Sequence, residues 1–547
     1  MTKYFFTCWM LLVFPALLLG QSKAFELQLK QIQKLDSIAS QDVPVGAPGI
    51  ATAILQDGKV IYERYFGLAD LTDSVRIGPS SRFNIASNAK QFTALAIQLL
   101  IDQKILRLED DVRSYFPLLF PGIKEKITVR HLLTHSSGIR DCYDLWSLQG
   151  LTWWKNTFSN AEVLALMSRQ EDLNFKPSEK YLYSNSNYIL LALLVEKASG
   201  KTFVDFTQEM FEALNMPHTS FVSDYKHIQG PIARSYFNFG TWTTYDWIWN
   251  VHGDGNLFST LTDQIQWEKV IAGTAKSRIE RKIILQSQQW VAGAKVQNYG
   301  YGLEFGTYKG LDYAFHEGAT GAWKATVVRF PVKAVSMITL TNTGKSKPYS
   351  QTRQMADYLF ALPNGKAFFL TKPKEIGKYI AEEEIMGIYL TESDFAFTFV
   401  KKNGKLFLRR VGRNDVELER ESDNVFRQKF DPYFKQEFTT NANGEMQVTA
   451  YYTSHAPYSL TKTKALGNHF DYKSLEGEYF NAETDVRFSI KYLKGNNFQI
   501  HSGKDSKTNG LLVSEHKMLV DFYSLVFSEK ELFLNGERIK QVRFRKE

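Results

Sequence analysis

Residues 83–94, FNIASNAKQFTA, place a serine and a lysine three positions apart at the start of an apolar run. Positions i and i+3 share one face of a helix, so the amine of Lys90 can reach the hydroxyl of Ser87. Such a lysine can activate the serine when burial or positive charge lowers its pKa from about 10.4. Taken alone, the pair is a weak signal, and a serine that caps a surface helix is the favoured interpretation.

A second segment, residues 181–188 (YLYSNSNY), precedes an apolar run with helical spacing. Tyr183 and Asn185 lie two positions apart in a loop and can point into the same cleft. A tyrosine near cations can shuttle a proton. An asparagine amide can donate to a substrate carbonyl and accept from a lysine. The alternative is a polar helix start with the asparagine as its cap.

A third segment, residues 314–321 (AFHEGATG), leads into a strand-like run. A glycine here allows a close approach of the backbone, and a strand edge can supply an N–H to an oxyanion hole. His316 can position or polarise a tyrosine–serine pair, although a lone histidine is more often structural.

The order Ser-x-x-Lys, Tyr-x-Asn, His-x-Gly resembles the serine β-lactamase and penicillin-binding-protein superfamily. The chain looks most like its class C-like branch, which holds D-aminopeptidases, D-Ala-D-Ala carboxypeptidases and esterases. Residues 127–139, ITVRHLLTHSSGI, are similar to that branch's Leu-Leu-Thr-His-(Thr/Ser)-Ser-Gly loop. The resemblance covers residues 30–362 and implies an α+β fold with helices around an antiparallel sheet.

The resemblance implies that Ser87 is the nucleophile that becomes acylated. Lys90 and Tyr183 would share the general-base work, and which of them deprotonates Ser87 stays open. Acylation would release the leaving group, and water would then hydrolyse the acyl-enzyme. This chemistry requires no cofactor and no metal.

The resemblance also implies the substrate-binding groups. Asn185 would bind the substrate amide, and His316, where many relatives have lysine, would support Tyr183. Gly318 and Ala319 lie on the strand beside the serine, and the N–H groups of Ser87 and Ala319 would form the oxyanion hole.

Glu317 departs from the family pattern, which often has Thr, Ser or Gly at this place. In relatives that hydroxyl helps to hold a substrate carboxylate, which a glutamate would repel. Glu317 therefore predicts a substrate without a carboxylate near the scissile bond. The alternative is that the strand period turns Glu317 away from the site.

The chain divides by texture into a mixed helix–strand part, residues 25–365, and a β-rich remainder. Two strand-like runs flank the turn Asp57-Gly58, and strands near both ends of this part can share one sheet. Helical runs are expected at 89–100 and at 187–197, the second stopped by Gly200.

Beyond a linker at 366–384, short alternating strands recur with an internal repeat. Gly387-Ile388-Tyr389 is echoed by Gly477-Glu478-Tyr479, an offset of 90 residues that stays close to this value along the segment. We interpret residues 385–466 and 467–547 as two small all-β, barrel-like modules. The alternative is one sandwich whose strands look alike. This layout is similar to that of D-aminopeptidases, and the modules can cap the active-site mouth.

Residues 1–24 predict a secretory signal, with Lys3, an apolar run and small residues before a cleavage point. The alternative is a retained N-terminal anchor. Cys8 would leave with the signal, and Cys142 alone cannot form an internal disulfide. We therefore expect an exported protein, periplasmic or extracellular, with no membrane span after signal removal.

The composition of the 547-residue chain, 44% apolar and 23% charged, excludes collagen-like and disordered classes. The net charge of +8 is spread along the chain without a basic block, which argues against a nucleic-acid partner.

Other candidate groups are less specific. His131 and His135, four apart, could be metal ligands, but packing in a structural loop is favoured. The tryptophans of 153–154 and 242–250 are interpreted as packing rather than substrate lining. Arg140 and Asp141 suggest a surface ion pair.

The sequence thus predicts an exported serine hydrolase acting on a small amide, peptide or ester, with a D-aminopeptidase or an esterase as candidate subtypes. The alternatives are a β-lactamase or DD-carboxypeptidase and, in another class, a non-catalytic penicillin-binding-like sensor. The expected partner is a small-molecule or peptide substrate, cell-wall-derived compounds among the candidates. The oligomeric state is open.

Overall fold

The computed structural model describes residues 27–296, 299–362, 378–391, 396–409, 415–429, 431–451, 457–464, 470–502, 506–521 and 523–547. The predicted signal at 1–24 lies outside the described residues, as does the predicted linker up to residue 377. Within the described part of the chain, none of the helices has the length and apolar composition needed to cross a membrane.

The N-terminal domain, residues 27–362, surrounds a mixed set of strands with helices. Its helices are α1 (Leu29–Ala39), α2 (Lys90–Asp102), α3 (Val129–Leu133), α4 (Cys142–Leu148), α5 (Asn160–Ser168), α6 (Asn185–Ser199), α7 (Phe203–Ala213), α8 (Leu261–Ala272), α9 (Arg281–Gln286) and α10 (Pro348–Leu359). Its strands are β1 (Ile50–Gln56), β2 (Lys59–Phe66), β3 (Leu68–Asp70), β4 (Val75–Arg76), β5 (Arg82–Asn84), β6 (Ser220–Phe221), β7 (Phe237–Asn238), β8 (Trp242–Thr243), β9 (Leu257–Thr260), β10 (Glu304–Tyr308), β11 (Leu311–Thr320), β12 (Trp323–Phe330) and β13 (Val335–Thr341).

The main sheet joins the two ends of this domain. Its strand order is β10–β11–β12–β13–β1–β2, and every pairing is antiparallel. Ile50 pairs with Thr341 between β1 and β13. The predicted hairpin at Asp57-Gly58 connects β1 to β2. The expectation of one sheet built from both ends of the segment is confirmed.

The serine segment is fixed by the helical core of the domain. Helix α2 is buried over most of its circumference and packs against α6. Helix α6 ends at Gly200, whose φ of 72° is the left-handed conformation that glycine adopts without a Cβ clash. A helix that is apolar on most sides must lie inside the domain, so the residues at its first turn are also enclosed.

After a short helix, α11 (Glu382–Ile385), the chain forms two closed eight-stranded barrels. The first barrel comprises β14 (Gly387–Leu390), β15 (Ala396–Lys402), β16 (Lys405–Arg409), β17 (Val416–Arg420), β18 (Val425–Gln428), β19 (Asp431–Thr440), β20 (Met446–Tyr451) and β21 (Tyr458–Lys462). The second barrel comprises β22 (Gly477–Asn481), β23 (Val486–Lys494), β24 (Asn497–Ser502), β25 (Ser506–Ser514), β26 (Lys517–Val520), β27 (Tyr523–Phe527), β28 (Glu531–Asn535) and β29 (Val542–Lys546). The prediction of two barrel modules, rather than one sandwich, is confirmed.

The repeated Gly-x-Tyr motif makes the same hydrogen bond in both barrels. The hydroxyl of Tyr389 donates to the carbonyl of Ile385 at 3.0 Å, and that of Tyr479 donates to the carbonyl of Leu475 at 3.1 Å. Both phenols are buried, so each needs this acceptor.

The glycines of the motif lie against the lysine that ends each barrel. Gly387 and Gly477 have φ values of +133° and +144°. A Cβ at these positions would lie 2.9 Å from Cε of Lys462 and 2.7 Å from Cε of Lys546. The shared corner explains why these glycines and tyrosines recur at a constant offset.

The second barrel is docked on the N-terminal domain through a buried ion pair. Arg140 Nη1 lies 2.8 Å from Glu483 Oε2, with side-chain exposures of 1% and 8%. Arg140 also donates to the carbonyls of Lys540 and Gln541, both at 3.1 Å. The expectation that Arg140 and Asp141 form a surface pair is therefore wrong, because the second barrel covers both residues.

We predict that Glu483→Gln destabilises the protein, because it leaves a buried guanidinium without its charged partner. Breaking a buried pair costs about 3–5 kcal/mol, whereas an exposed pair is worth about 1 kcal/mol or less. The matched control is Arg543→Gln, which removes an exposed pair with Glu171 at the same interface. Thermal unfolding measured by calorimetry should show a clearly larger loss for Glu483→Gln, and equal losses would contradict the prediction.

Candidate active site

Ser87 lies on a 3₁₀ turn, residues Ala86–Ala89, that leads directly into α2. The preceding residue, Ala86, has a φ of +48°, which is uncommon for a residue with a Cβ. The side chain of Asn84 holds this conformation by accepting from the Ala86 N–H at 3.0 Å. Strained backbone of this kind is typical of functional sites.

Lys90 is fully buried and donates to three oxygens. Its Nζ lies 3.1 Å from Ser87 Oγ, 2.9 Å from Asn185 Oδ1 and 2.7 Å from the carbonyl of Asp254. Burial lowers the pKa of Lys90 to about 8, although the carboxylates of Asp254 and Asp141 act in the opposite direction. The amine is thus close to the neutral form that can accept a proton from Ser87.

Tyr183 completes the group around the serine. Burial raises the pKa of Tyr183 well above its ordinary value, and a hydrogen bond with Ser87 opposes that shift. Its ring lies over the amine of Lys90, 4.9 Å from Nζ to the ring centroid, and 4.3 Å from the ring of His135. The resting site therefore contains a protonated phenol and an amine near its titration point, both next to one hydroxyl.

Asn185 is the first residue of α6 and is held from below by Asp141. Its backbone N–H and its Nδ2 donate to Asp141 Oδ2 at 2.7 and 2.9 Å. Asp141 is fully buried, caps α4 by accepting from the Tyr143 N–H at 2.9 Å, and was not singled out for this role by the sequence. The signal was available, since an aspartate directly before a helical run is a preferred cap.

His316 lies on β11 and bonds to a residue that the sequence did not indicate. Its Nε2 accepts from the Tyr299 hydroxyl at 2.6 Å, and its Nδ1 donates to the Glu317 carbonyl at 2.8 Å. Burial and the nearby charge of Lys90 lower the pKa of His316 to about 3, so the ring is neutral. Its ring centroid is 6.3 Å from that of Tyr183, and the side chain to which it is hydrogen-bonded is that of Tyr299.

Glu317 faces the other side of the sheet. One carboxylate oxygen lies 2.8 Å from Nη1 of Arg353, and the other accepts from the Thr326 hydroxyl. The expectation that Glu317 repels a substrate carboxylate is therefore wrong, because successive side chains of a strand alternate between faces.

Gly318 allows β11 to lie against the serine turn. A Cβ there would be 2.4 Å from the carbonyl oxygen of Ile85 and 3.2 Å from Cβ of Ala86. Ala319 follows it and borders the same cavity as Ser87. An oxyanion hole formed by the N–H groups of Ser87 and Ala319 stays a prediction.

The serine opens into a cavity of about 570 Å³. Its aromatic wall consists of Tyr143, Trp146, Trp153, Trp154, Phe158, Tyr183, Trp247 and Trp249. The interpretation of the tryptophans as packing is incomplete. Trp153 and Trp247 do pack, with ring centroids 5.7 Å apart, but both also line the cavity.

Asp254 borders this cavity between two glycines of the chain. Its Oδ2 accepts from the Tyr143 hydroxyl at 2.8 Å, and within the described residues its buried Oδ1 has no hydrogen-bond partner. Burial raises the pKa of Asp254, and Lys90 partly offsets this. A buried carboxylate oxygen usually accepts a hydrogen bond, so Oδ1 of Asp254 is free to accept one from a ligand.

Arg538 reaches the cavity from the second barrel. Its Nη1 lies 3.2 Å from Asp141 Oδ2, and its Nη2 lies 2.5 Å from Asp144 Oδ1. Burial lowers the pKa of Arg538, but the two carboxylates raise it overall above its ordinary value.

The histidines weighed as metal ligands have separate partners. His131 Nδ1 accepts from the Thr128 N–H at 3.2 Å, and His135 Nδ1 accepts from the Ser184 N–H at 3.2 Å. Across the described ranges no group of three or more His, Cys, Asp or Glu side chains is arranged to hold a metal ion.

The Beta-lactamase family matches residues 35–361, which is more than half of the chain. The chain therefore belongs to the beta-lactamase family, and the resemblance drawn from the three motifs is confirmed. Penicillin-binding protein 4* of Bacillus subtilis (strain 168) is 26% identical over 397 residues, which cover 68% of this chain and 86% of that protein. Protein flp of Staphylococcus aureus (strain MRSA252) is 35% identical over 194 residues, and this match spans 38% of its length and 35% of this chain.

The solved structures that share the fold include a penicillin-binding protein homologue and a D-amino acid amidase. The octameric penicillin-binding protein homologue from Pyrococcus abyssi has a TM-score of 0.56 at 23% identity and covers 79% of this chain and 100% of that chain. The D-amino acid amidase from Ochrobactrum anthropi SV3, complexed with L-phenylalanine, has a TM-score of 0.50 at 20% identity and covers 61% of this chain and 99% of its own. Family and fold agree with a serine hydrolase.

We predict that covalent labelling of Ser87 by a fluorophosphonate accelerates with pH. The neutral fraction of Lys90 increases about tenfold per pH unit below its pKa of about 8 and then levels off. Labelling rates between pH 6 and 10 should follow this curve, and Ser87→Ala should not be labelled. A rate independent of pH would contradict the assignment of Lys90 as the titrating group.

Proposed function

We propose that the protein is an exported serine hydrolase that cleaves a small amide, peptide or ester bond through an acyl-enzyme on Ser87. The observation that carries this proposal is the grouping of an amine and a phenol around one hydroxyl: Lys90 Nζ lies 3.1 Å from Ser87 Oγ, and the Tyr183 ring lies over that amine and lines the same cavity as Ser87. The sequence pattern of residues 1–24 supports export, to the periplasm or the extracellular space.

The reaction begins with proton transfer from Ser87 to neutral Lys90, whose other two contacts, to Asn185 and Asp254, hold it in place. The serine oxygen attacks the substrate carbonyl. The N–H groups of Ser87 and Ala319 are the proposed donors to the oxyanion, at the positive end of the helical turn. Tyr183, a phenol in the resting site, is placed to hand a proton to the leaving group. The tyrosinate that remains then takes a proton from the water that attacks the acyl group, and the Lys90 ammonium returns its proton to Ser87 as the acyl group departs.

The cavity supports a substrate whose acyl part carries an apolar side chain and a free amine. Its aromatic wall matches an apolar group, and aromatic faces also attract cations. The unpaired oxygen of Asp254 offers an acceptor for an ammonium ion. Among the candidate subtypes, D-aminoacyl amides and peptides with an N-terminal D-residue fit this description best.

We predict that wild-type protein hydrolyses D-aminoacyl anilides faster than the L-enantiomers, a nitrophenyl ester or nitrocefin, and that Ser87→Ala loses all activity. Steady-state rates on this panel test the proposal. Fastest turnover of nitrocefin would favour the β-lactamase alternative. Stoichiometric fluorophosphonate labelling without turnover of any substrate would favour the sensor alternative.

We predict that Asp254→Asn selectively weakens substrates with a free amine. Hydrogen bonds to charged groups are worth about 1.5–3 kcal/mol, which corresponds to roughly 10- to 150-fold in kcat/KM. The measurement is the ratio of kcat/KM for a D-aminoacyl anilide to that for its N-acetyl derivative. The ratio should fall in the variant, and an equal loss for both substrates would refute an ammonium site at Asp254.

A further inference from the structure

The loop between β28 and β29, residues 536–541, lies on the start of α4 in the N-terminal domain. The backbone carbonyl of Arg538 accepts from the Asp141 N–H at 3.3 Å and from Asn174 Nδ2 at 3.0 Å. The backbone N–H of Arg538 donates to Asp144 Oδ2 at 3.1 Å. These backbone contacts fix where the Arg538 side chain begins.

The guanidinium of Arg538 is the first member of a chain of contacts that ends at the serine. It pairs with Asp141 Oδ2 at 3.2 Å, and the same oxygen accepts from the N–H and Nδ2 of Asn185. Oδ1 of Asn185 accepts from Lys90 at 2.9 Å, and Lys90 donates to Ser87 at 3.1 Å. The two hydrogen bonds from Asn185 to Asp141 fix the rotamer of the Asn185 side chain. Asp141 therefore sets the orientation of Asn185 Oδ1, the oxygen that Lys90 binds.

Asp141 needs a cation because it is a fully enclosed carboxylate. Removing the partner of a buried charge is strongly unfavourable, since the remaining charge must find other compensation or move. Within the described residues, Arg538 makes the one ion pair of Asp141. The cation that stabilises the anchor of Asn185 thus comes from the second barrel.

We propose that Arg538 is a positioning residue of the active site, which orients Asn185 through Asp141, so that the second barrel completes the catalytic site of the N-terminal domain. This inference rests on the hydrolase function proposed above. It goes beyond a barrel that shields the cavity mouth, because Arg538 acts on the catalytic groups without touching the substrate.

Arg538 also affects the charge state of Lys90, which a merely structural contact would not do. Arg538 is a positive charge near Lys90, and it lowers the pKa of that amine. Without it, Asp141 would be uncompensated, and both changes favour the protonated amine. Loss of Arg538 should therefore move the ascending limb of the pH profile to higher pH.

The test compares Arg538→Gln with the matched control Arg543→Gln, which removes an exposed arginine–glutamate pair from the same barrel–domain interface. We expect Arg538→Gln to lower kcat and the fluorophosphonate labelling rate about 10- to 100-fold, with KM within about threefold of wild type. The labelling limb should shift upward by about one pH unit. Arg543→Gln should behave like wild type in each measurement.

Arg538→Lys distinguishes the effect of the charge at this position from a general loss of folding. A lysine lacks the forked guanidinium that also reaches Asp144, but it retains the positive charge beside Asp141. Because the charge is retained, the ascending limb of the labelling rate against pH should return close to that of wild type. If Arg538→Gln does not fold, Arg538→Lys and the control still decide: a limb shifted by a full unit in Arg538→Lys would contradict the charge-based role.

Two results would overturn the proposal. One is an unchanged pH limb and labelling rate in a folded Arg538→Gln protein. The other is a loss confined to KM and to substrates with a carboxylate, since this would make Arg538 a direct ligand of the substrate.

A readout independent of activity distinguishes this proposal from the proposed function. Hydrogen exchange of the segment 181–190 reports on the Asn185 N–H that donates to Asp141. Faster exchange in Arg538→Gln than in Arg543→Gln supports the positioning contact even if the wild-type protein shows no turnover. If the two variants exchange equally fast and the wild-type protein is catalytically active, the positioning contact is refuted and the hydrolase function stands.

Discussion

The buried ammonium of Lys90 is the constraint on which the geometry of the site depends. A charge that is removed from water is tolerated when every donor finds an acceptor, and here the three acceptors belong to the serine turn, to α6 and to the loop before β9. The close packing that brings them together is visible at Gly253, where a Cβ would lie 2.5 Å from Cβ of Ala192 on α6. The amine of Lys90 therefore fixes the positions of α6, the loop before β9 and Ser87 relative to one another.

The same logic extends outward through Asp141 to the second barrel. The main hydrophobic core contains residues of the N-terminal domain together with residues inside the second barrel, such as Tyr479 and Phe544, so these parts form a continuous packed body. The first barrel has its own core and meets the second barrel at a small cluster of Ala396, Val513 and Leu519. Two copies of one module have thus taken different places: the second copy is built into the catalytic unit, and the first is attached to that copy.

The three catalytic motifs were predictable because each is a local pattern whose spacing has a direct geometric meaning. The two barrels were predictable because an alternating texture repeats at a constant offset. The role of Glu317 was misjudged although the information was present: if His316 and Gly318 face the serine, strand alternation turns the residue between them away.

The roles of Asp254, Tyr299 and Arg538 could not be read from the sequence. Each depends on a contact between segments far apart in the chain, and nothing near Arg538 marks it as part of a site. Arg140 was misjudged for a related reason. An arginine in a polar stretch is usually solvated, and its burial becomes visible once a barrel hundreds of residues later is placed over it.

Because Arg538 follows Ser87 by about 450 residues, the order of synthesis has a consequence for when the site can work. At about 5–20 residues per second, the ribosome needs roughly 9–35 seconds to go from the end of the N-terminal domain at residue 362 to the arginine that neutralises Asp141. During that interval Ser87 and Lys90 have been made, but Asp141 lacks the positive charge of Arg538. Under the proposed role of Arg538, the serine would reach full reactivity only after the second barrel has been made and has folded onto the N-terminal domain.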